Sequence, residues 1–513
     1  MTTPIQSRSL LLFLVLALAP GAAGAQSAGP SSNLNELGPA LDSIFAGFDA
    51  TTMPGCAVGV DSGGEAVPLL RAWGMSDLEH GTANRPGTIF EAGSVSKQFT
   101  AAALLLLEQD GALSLDDDIR DHVPELPDLG EVITLRHLMT HTSGLRDWGS
   151  VAAIAGTGRG ARTHTHDHVV DILSRQSALN FPPGDQYSYS NSGYNLMAVV
   201  VERTSGQSFA SFSHDRIFEP LDLVDTHWRD DYRRLVPGRA TAHSPAGQSP
   251  DGRPVFRINQ PIEDVHGNGG LLTTVADLLT WNRALASGSL GDHVTREMHR
   301  QGILNSGDTI TYAGGLMVGE MDGLPAVTHT GATAGYRAYL GRFPDQEVSV
   351  ALLCNVTSAN PGNLGQAVAR RALRLVAADE VEAAQERVRE AARAREEART
   401  TEEAGEEPEQ DPPTPAFSPS TSELREFTGR YYSPDAEVEV EIVLEEDRLV
   451  LLRRPADRIG LSPDEDTTDR FTGGLGGLQF HRDADGHVME FGVSQARVFD
   501  LRFHRVPSRE PAP

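Results

Sequence analysis

The sequence predicts an α+β protein, with one antiparallel sheet packed on helices and holding a helical insertion, followed by a small C-terminal antiparallel β-barrel. Three observations support this fold class. Strand-like apolar segments occur near the start and near the end of the first part of the chain. The segments between them have mostly helical periodicity. After a stretch rich in Glu and Pro, short segments alternate apolar and polar residues.

The predicted elements follow from periodicity, capping residues and turn signals. The strands expected in the first part are Gly55–Val60, Ala66–Trp73, Tyr312–Val318, Ala326–Thr330, Gly335–Phe343 and Glu347–Val356. The helices expected there are Asn33–Ala50, one beginning at Ser94, one capped by Thr134, His166–Ser174, Asn195–Arg203, Val275–Ala286 and Leu364–Ala377. The strands expected in the barrel are Phe427–Tyr432, Glu437–Leu444, Leu449–Arg453, Gln479–Arg482, His487–Val493 and Val498–Phe503.

Residues 1–25 are typical of a secretory signal. Arg8 gives a positive start, Leu10–Ala19 an apolar core, and Ala23-Gly24-Ala25 a small-residue cleavage site. The apolar run is too short for an ordinary membrane span, and no later segment is apolar enough to form one. We therefore expect an exported protein, periplasmic or extracellular, without a membrane span.

The mature chain is too long for one hydrophobic core, so the sequence predicts two domains joined by a linker. Residues 26–378 are expected to form the sheet-and-helix domain and residues 421–513 the barrel. Between them, residues 379–420 begin as a helix rich in Ala, Glu and Arg and continue as a Glu- and Pro-rich spacer.

The chain has a formal net charge of -28. Such a charge disfavours nucleic acid and anionic lipid as partners, because both would be repelled. It does not bear on the oligomeric state, which the sequence leaves open.

The sequence has two cysteines, Cys56 and Cys354, both in apolar strand-like segments. An exported protein often pairs such residues in a disulfide. Two buried free thiols explain the same positions equally well, so both alternatives stay open at this stage.

Ser94 and Lys97 are the leading candidates for catalysis. Lys97 is the only lysine in the 513 residues, and a desolvated lysine, unlike arginine, can lose its proton and act as a base. A spacing of three residues puts both side chains on one face of a helix. Ser94 follows Gly93 at the expected helix start, where unpaired N–H groups stabilise developing negative charge. The alternative is an N-cap serine and an unrelated lysine.

Two further motifs follow in order after Ser94-Val95-Ser96-Lys97. They are Tyr189-Ser190-Asn191 and His329-Thr330-Gly331, the latter on a strand and followed by Ala332. This order resembles the penicillin-recognising serine hydrolases, most closely the class C β-lactamase and D-alanyl-D-alanine carboxypeptidase group. Supporting segments are Leu138–Leu145, Phe181–Gly184 and Gly269–Thr274. The resemblance covers roughly residues 34–377 and implies a β-lactamase/transpeptidase-like fold.

The resemblance also implies roles for single residues. Ser94 would be acylated, Lys97 would take its proton, alone or with Tyr189, and Tyr189 would protonate the leaving group. Asn191 would position the substrate amide, while His329 and Thr330 would bind the substrate's carboxylate or line its pocket, with Gly331 also in contact with the substrate. The backbone N–H groups of Ser94 and Ala332 would form the oxyanion hole. No cofactor or metal is expected, and the partner is a small-molecule or peptide substrate.

The third motif departs from the β-lactamase pattern, because His329 stands where that pattern has lysine. The histidine variant resembles members that act on D-amino acid peptides or esters. Histidine is mostly neutral at pH 7 and should hold a substrate carboxylate weakly. Strong β-lactamase activity is therefore not expected.

Other segments leave alternatives open. The barrel resembles lipocalin-like domains appended to members of this group, and Gly473–Gly477 is either a tight strand connection or a loop that reaches the active site. His164, His166 and His168 suggest a metal site, but Thr165 fits better as a helix cap. The leading hypothesis is a secreted serine hydrolase acting on D-amino acid peptides, esters or β-lactams. The alternative is a non-hydrolytic receptor or scaffold, with ligand binding through the barrel.

Overall fold

A six-stranded antiparallel sheet lies at the centre of the first part of the chain, in a computed structural model that describes residues 34–48, 51–63, 67–403, 419–454, 456–464 and 467–507. The strands of this part are β1 (Cys56–Asp61), β2 (Leu69–Trp73), β3 (Met75–Asp77), β4 (Thr82–Ala83), β5 (Phe90–Glu91), β6 (His227–Trp228), β7 (His243–Gln248), β8 (Pro254–Ile258), β9 (Leu271–Thr273), β10 (Met317–Met321), β11 (Leu324–Thr333), β12 (Tyr336–Phe343) and β13 (Val348–Cys354). The central sheet has the order β10-β11-β12-β13-β1-β2. Both ends of this part therefore contribute strands to one sheet, which confirms the predicted fold class.

One helix precedes β1, most of the helices lie between β2 and β10, and two more follow β13. These helices are α1 (Gly38–Ile44), α2 (Lys97–Gln109), α3 (Ile119–His122), α4 (Leu135–Met139), α5 (Trp148–Ile154), α6 (His166–Ser174), α7 (Asn191–Ser205), α8 (Phe209–Ser213), α9 (Val275–Ser287), α10 (Asp292–His299), α11 (Pro361–Val376) and α12 (Ala378–Glu403). α2 is buried from Lys97 to Leu107, because its Ala and Leu side chains are apolar on every side.

Two helix starts differ from the sequence prediction. Ser94 lies in a 3₁₀ turn, Gly93–Ser96, and α2 begins only at Lys97. α7 begins at Asn191 rather than Asn195, because the extended backbone ends at Ser190. Both differences arise where glycine and short polar residues adopt either state, so composition alone does not set the boundary.

The two faces of the central sheet pack against different helices. Residues alternate along β13, so that Leu353 belongs to the apolar cluster that includes α2 and α9, whereas Leu352 belongs to the cluster that includes α11. The sheet therefore separates two cores, and α2 lies within the larger one.

Cys56 and Cys354 are direct cross-strand partners on β1 and β13 and form a disulfide. The pairing answers the question that the sequence leaves open. It joins the first and last strands of the sheet across a separation of 298 residues.

The strand predicted at Tyr312–Val318 is wrong in its first half. β10 starts at Met317, and the residues before it form a turn in which Gly315 has a φ of +73°. A Cβ at Gly315 would lie 2.6 Å from the backbone nitrogen of Gln98. This close approach of the turn to α2 holds Tyr312 inside the molecule instead of on a strand.

The C-terminal part forms a closed antiparallel barrel, as predicted. After a short helix, α13 (Thr421–Leu424), its strands are β14 (Gly429–Ser433), β15 (Val438–Glu445), β16 (Arg448–Arg453), β17 (Asp457–Pro463), β18 (Arg470–Gly473), β19 (Gly476–Arg482), β20 (Val488–Gln495) and β21 (Val498–Val506). β17 and β18 are absent from the sequence prediction, because they mix charged residues with Gly and Pro. Gly473 and Gly476 end β18 and begin β19, so this segment is a tight connection.

Aromatic side chains fill the inside of the barrel. They contact one another and are all buried: Phe427, Tyr431, Phe471, Phe480, Phe491 and Phe503. An eight-stranded barrel is just wide enough for its own side chains to fill. The described interior is therefore a packed core.

The barrel packs directly on the helical insertion. The described residues from Leu34 onward form one compact unit, and apolar residues of the barrel and of α2 belong to one contiguous cluster. The buried Arg146 guanidinium forms an ion pair with buried Asp435 at 2.6 Å, and Arg453 donates hydrogen bonds to the carbonyl oxygens of Ala153 and Ile154. The contact between the two parts is thus partly apolar and partly ionic.

Some predictions fall on residues that the structure does not describe. The secretory signal at residues 1–25, Ala66 and most of the Glu- and Pro-rich spacer lie outside the described residues. The predicted helix before the spacer is present as α12, whereas the bounds of the four predicted segments stay predictions. Within the described part of the chain, no helix is both long and apolar enough to cross a bilayer.

Candidate active site

Ser94 and Lys97 meet at the start of α2, inside the molecule. The 3₁₀ turn leaves Ser94 half-buried, whereas Lys97 is fully buried as the first residue of α2. The amine Nζ of Lys97 lies 3.3 Å from the hydroxyl Oγ of Ser94. The structure therefore brings the two candidate residues into hydrogen-bonding distance.

Uncharged oxygens surround the Lys97 amine. Nζ donates to Oδ1 of Asn191 at 3.0 Å and to the carbonyl oxygen of Asn268 at 2.7 Å. Burial holds the pKa of Lys97 well below its ordinary value, and the positive charges of Arg159 and Arg497 lower this pKa further. A neutral amine beside a hydroxyl can accept its proton.

Tyr189 covers the same amine with its ring. Nζ of Lys97 lies 4.8 Å from the centre of the Tyr189 ring. Burial raises the pKa of the Tyr189 phenol above its ordinary value, while a hydrogen bond with Ser94 opposes this shift. The side chain is therefore a neutral phenol at pH 7, able to donate a proton.

Asn191 is the first residue of α7 and links that helix to the site. Its backbone N–H donates to the Asp147 carboxylate at 2.8 Å, and its side-chain oxygen accepts from Lys97. Because Oδ1 is occupied in this way, the amide nitrogen is the group of Asn191 that is available to a substrate carbonyl.

His329 lies on β11 and faces the site. Its Nδ1–H donates to the carbonyl oxygen of Thr330 at 2.6 Å, and its Nε2 accepts from the hydroxyl of Tyr312 at 3.1 Å. Burial lowers the pKa of His329 to about 4, with a smaller contribution from the charge of Lys97. The imidazole is therefore neutral at pH 7.

Thr330 is exposed and lies on the opposite face of β11 from His329. Its partner on β12 is Tyr339, which packs with α11, and its methyl group lies beside Gly362 of α11. The structure does not bring Thr330 to Ser94, and its predicted contact with substrate stays a prediction.

Gly331 and Ala332 bring β11 against the turn that holds Ser94. A Cβ at Gly331 would lie 2.0 Å from the carbonyl oxygen of Ala92, and one at Gly93 would lie 2.6 Å from the backbone nitrogen of Ala332. β10 pairs with β11 only as far as Thr328. From His329 onward, the edge of β11 that faces β10 has no strand partner among the described residues. The predicted oxyanion hole needs this proximity, although its role stays a prediction.

Several residues near the site carry no sequence signal that identified them. His141 has a left-handed backbone, with a φ of 61°, and its ring lies 4.3 Å from that of Tyr189. Burial lowers its pKa well below the ordinary value. In the sequence, the segment of His141 is only part of the family resemblance, and the pattern around Tyr312 predicts a strand.

Arg497 also reaches the site, from the barrel. Its guanidinium carbon lies 4.9 Å from the centre of the Tyr189 ring. Arg497 sits in a short turn between two predicted strands, without any motif, and only the folded structure places it near Ser94.

The histidine-rich segment at the start of α6 does not converge on one point. Nε2 of His164 donates to the carbonyl oxygen of Thr157, Nε2 of His166 to that of His266, and Nδ1 of His168 accepts from the backbone of Thr165. The capping interpretation of Thr165 is confirmed.

Comparison with known proteins finds a family model, relatives and solved structures that resemble this chain. The family model described as Beta-lactamase matches residues 41–377. Penicillin-binding protein 4* of Bacillus subtilis (strain 168) is 28% identical over 296 residues, which are 55% of this chain and 64% of that protein. A D-aminopeptidase of Cereibacter sphaeroides (strain ATCC 17023) is 28% identical over 320 residues, which are 62% of this chain and 58% of that protein. The chain thus spans less than two thirds of the length of these curated relatives.

A solved structure shows the same fold over most of the chain. The octameric penicillin-binding protein homologue from Pyrococcus abyssi superimposes with a TM-score of 0.57 at 21% identity, over 92% of this chain and 99% of that chain. The likeness extends to the fold alone.

Proposed function

The chain belongs to the beta-lactamase family, and from this premise we propose that it is a serine hydrolase that acts through an acyl-enzyme intermediate on amides or esters of D-amino acids. The distance of 3.3 Å between Nζ of Lys97 and Oγ of Ser94 is the observation on which this proposal rests. A weak hydroxyl nucleophile needs a neighbouring base, and the lowered pKa of Lys97 provides a neutral amine for that role.

In the proposed acylation, Oγ of Ser94 bonds to the substrate carbonyl carbon while its proton passes to Nζ of Lys97. The carbonyl oxygen becomes an oxyanion that the N–H groups of Ser94 and Ala332 stabilise, by roughly 3 kcal/mol per donor. When the intermediate collapses, the bond to the leaving nitrogen or oxygen breaks. The Tyr189 phenol gives the leaving group its proton and regains one from Lys97.

In the proposed deacylation, water replaces the leaving group and the same residues act in reverse. Lys97 and Tyr189 take a proton from the attacking water, the ester bond to Ser94 breaks, and Oγ recovers its proton. Because the two half-reactions share one proton route, the same variants should slow both.

Two observations support D-amino acid derivatives over β-lactams as substrates. His329 is neutral at pH 7, since burial lowers its pKa to about 4, so the third motif lacks the cation that β-lactamases place there. Relatives of the chain are named D-aminopeptidase. We therefore propose weak or absent turnover of cephalosporins.

We also propose that the protein is exported, to the periplasm or beyond the cell. Residues 1–25 have the composition of a secretory signal. The disulfide between Cys56 and Cys354 supports the same proposal, because structural disulfides persist in oxidising compartments.

Active-site labelling combined with a turnover screen tests the proposed function. The purified chain is treated with a fluorophosphonate and a fluorescent penicillin, then assayed on D-amino acid amides, short-chain esters and cephalosporins. The wild type should be labelled and should turn over amides or esters, whereas Ser94→Ala should not be labelled. Lys97→Arg should lose at least about a thousandfold in turnover, because a guanidinium stays protonated.

Ser188→Ala is the matched control, since this half-buried hydroxyl lies next to Tyr189 and has no proposed role. It should behave like the wild type. Labelling of Ser94→Ala at the wild-type level would contradict the nucleophile assignment. A stable adduct without turnover on any substrate would instead support the receptor alternative.

A further inference from the structure

The β20–β21 hairpin of the barrel is fixed against the helical insertion beside the site. Its two-residue turn is Ala496-Arg497, because Gln495 pairs with Val498. The carbonyl oxygen of Arg497 accepts hydrogen bonds from the backbone N–H of Asp147 at 3.1 Å and from the side chain of Asn180 at 3.2 Å. Backbone contacts therefore hold the turn in place, independently of the Arg497 side chain.

The Arg497 guanidinium lies at the same ring as the Lys97 amine. The distances from the two groups to the centre of the Tyr189 ring are 4.9 Å and 4.8 Å. The Arg497 side chain is half-buried, and within the described ranges no carboxylate forms an ion pair with it. In contrast, Arg159 near the same site is paired with Glu263.

Such a guanidinium is unusual in a chain with 71 acidic residues and 43 lysines and arginines. At the contact between the barrel and the insertion, Arg146 is neutralised by Asp435 and Arg453 by Asp457. Backbone contacts fix the turn that carries this guanidinium, and no carboxylate of the described residues pairs with it. Such a group is suited to bind the anionic group of a ligand in two parallel hydrogen bonds.

The position of Arg497 indicates which end of a substrate it would contact. Tyr189 is the proposed donor of a proton to the leaving group, so groups beside Tyr189 face the leaving group and not the acyl group. His329 supplies no positive charge on that side at pH 7, because burial lowers its pKa to about 4. A cation for the leaving group must therefore come from another element.

We propose that Arg497 binds the free carboxylate of an amino-acid leaving group, so that the barrel selects acyl-peptides ending in a D-amino acid over the corresponding amides. This inference rests on the proposed hydrolase function of Ser94. It makes the chain a carboxypeptidase by preference, with its specificity residue contributed by the second part of the molecule.

Arg337 is the rival guanidinium. It lies on β12 opposite Ala332, and it donates hydrogen bonds to the carbonyl oxygens of Ala334 at 3.0 Å and Tyr336 at 2.7 Å. Both bonds come from one guanidinium nitrogen, Nη1, and hold the side chain at its own turn, so Arg337→Gln is included in the test.

Matched pairs of substrates test the inference in the full chain. Each pair is an N-acetyl-D-dipeptide with either a free C-terminal carboxylate or a C-terminal carboxamide, with D-Ala, D-Leu or D-Phe as the last residue. Para-nitrophenyl acetate, which lacks a carboxylate, reports the acylation machinery alone. The wild type should prefer the acids, and Arg497→Gln should raise their KM about ten- to hundredfold.

The same variant should affect the amides and the acetate ester equally and much less than the acids, because the charge of Arg497 also lowers the pKa of Lys97. Arg497→Lys keeps that charge and should restore part of the preference. Arg502→Gln is the control, because this arginine on β21 pairs with Glu490 and Asp500. It should not change the preference for acids.

Three results would overturn the inference while leaving Ser94 as nucleophile: an ester-active wild type without preference for any acid, an equal effect of Arg497→Gln on acids, amides and ester, or loss of the preference in Arg337→Gln instead. Equal loss on all substrates would indicate that Arg497 acts only on the charge state of Tyr189. A wild type inactive on every compound and unlabelled by fluorophosphonate would refute the proposed function itself.

Discussion

At the scale of single residues, the chemistry proposed for Lys97 depends on burial more than on any charged neighbour. Its amine is surrounded by the oxygens of Ser94, Asn191 and Asn268, none of which carries a charge at neutral pH. Loss of hydration is the largest cause of its lowered pKa. Since it is the only lysine of the chain, its protonation can be observed directly.

We expect the amine of Lys97 to titrate well below its ordinary value of 10.5. Incorporation of ¹⁵N-lysine gives one side-chain signal in the NMR spectrum, and the chemical shift of that signal reports the pKa. The deprotonated amine is the proposed base, so kcat/KM should rise with pH through the same midpoint. No fall is expected up to about pH 10, because the pKa of Tyr189 is raised above that value.

Asn191→Asp is the matched variant, since it places a carboxylate where Oδ1 now contacts Nζ. An opposite charge favours the protonated amine, so the Lys97 midpoint should move upward. A wild-type signal that titrates near 10.5, or that fails to move in this variant, would rule out the neutral-amine base.

The sequence predicts single residues where spacing along one helix brings them together. The separation of Ser94 and Lys97 by three residues is enough to expect their contact. Asn268 and Arg497 join the site through loops that are distant in sequence, and no local pattern specifies their approach. The sequence likewise does not decide whether the cysteines pair, because pairing depends on the neighbouring positions of β1 and β13.

At the scale of elements, the site depends on the contact between the Gly93–Ser96 turn and β11. Gly93 has a φ of 52°, and the space for its missing Cβ is occupied by the backbone of Ala332. The positions of the Ser94 hydroxyl and of the Ala332 N–H therefore depend on the same glycine.

We expect Gly93→Ala to lower kcat/KM by at least about a hundredfold, because the methyl group must push the turn away from β11. Gly111→Ala is the control, since Gly111 has a φ of 73° but no atom within 4 Å of its missing Cβ. The control should lose only about 1 kcal/mol of stability, from backbone strain, and keep its activity. Steady-state kinetics and denaturant titration of both variants check this, and equal effects would contradict it.

The elements with strong periodicity are predicted well from the sequence. α2 and most strands of the central sheet lie where their apolar patterns indicate. Local patterns fail where tertiary contact decides, as in the turn that holds Tyr312 against α2, and where strands β17 and β18 complete a barrel without an alternating pattern. For β17 and β18, hydrogen bonds to neighbouring strands outweigh intrinsic preference.

At the scale of the whole molecule, the barrel and the insertion are joined through a buried ion pair. The Asp435 carboxylate accepts from Arg146 at 2.6 Å and from the Ser177 hydroxyl at 2.9 Å. Removing one partner of such a pair leaves an uncompensated buried charge. Loss of this ion pair should therefore weaken the packing of the barrel on the insertion.

We expect Asp435→Ala to lower the free energy of unfolding by about 3 to 5 kcal/mol. Asp457→Ala is the control, because this half-exposed carboxylate pairs with Arg453 at the same interface and should cost less than about 1 kcal/mol. Denaturant titration measures both. An Asp435→Ala variant as stable as the control would mean that the ion pair does not hold the barrel in place.

The packing of the barrel on the insertion is the feature that the sequence predicts least. The sequence predicts a sheet with a helical insertion and a barrel, and the family resemblance agrees with both. It gives no information on how they pack, because charged residues such as Arg146 and Asp435 carry no pattern that marks them as partners. The proposed role of Arg497 follows entirely from that packing.

The disulfide between Cys56 and Cys354 affects what happens to the site when a protease cuts the chain. Ser94, Tyr189 and Ala332 all lie inside the covalent ring that this bond closes. A single proteolytic nick anywhere within the ring leaves the two fragments attached to each other, so the nucleophile and its neighbours cannot diffuse apart. Arg497 lies outside the ring, so after a cut between α12 and the barrel only non-covalent contacts, such as the ion pair between Arg146 and Asp435, would keep it at the site.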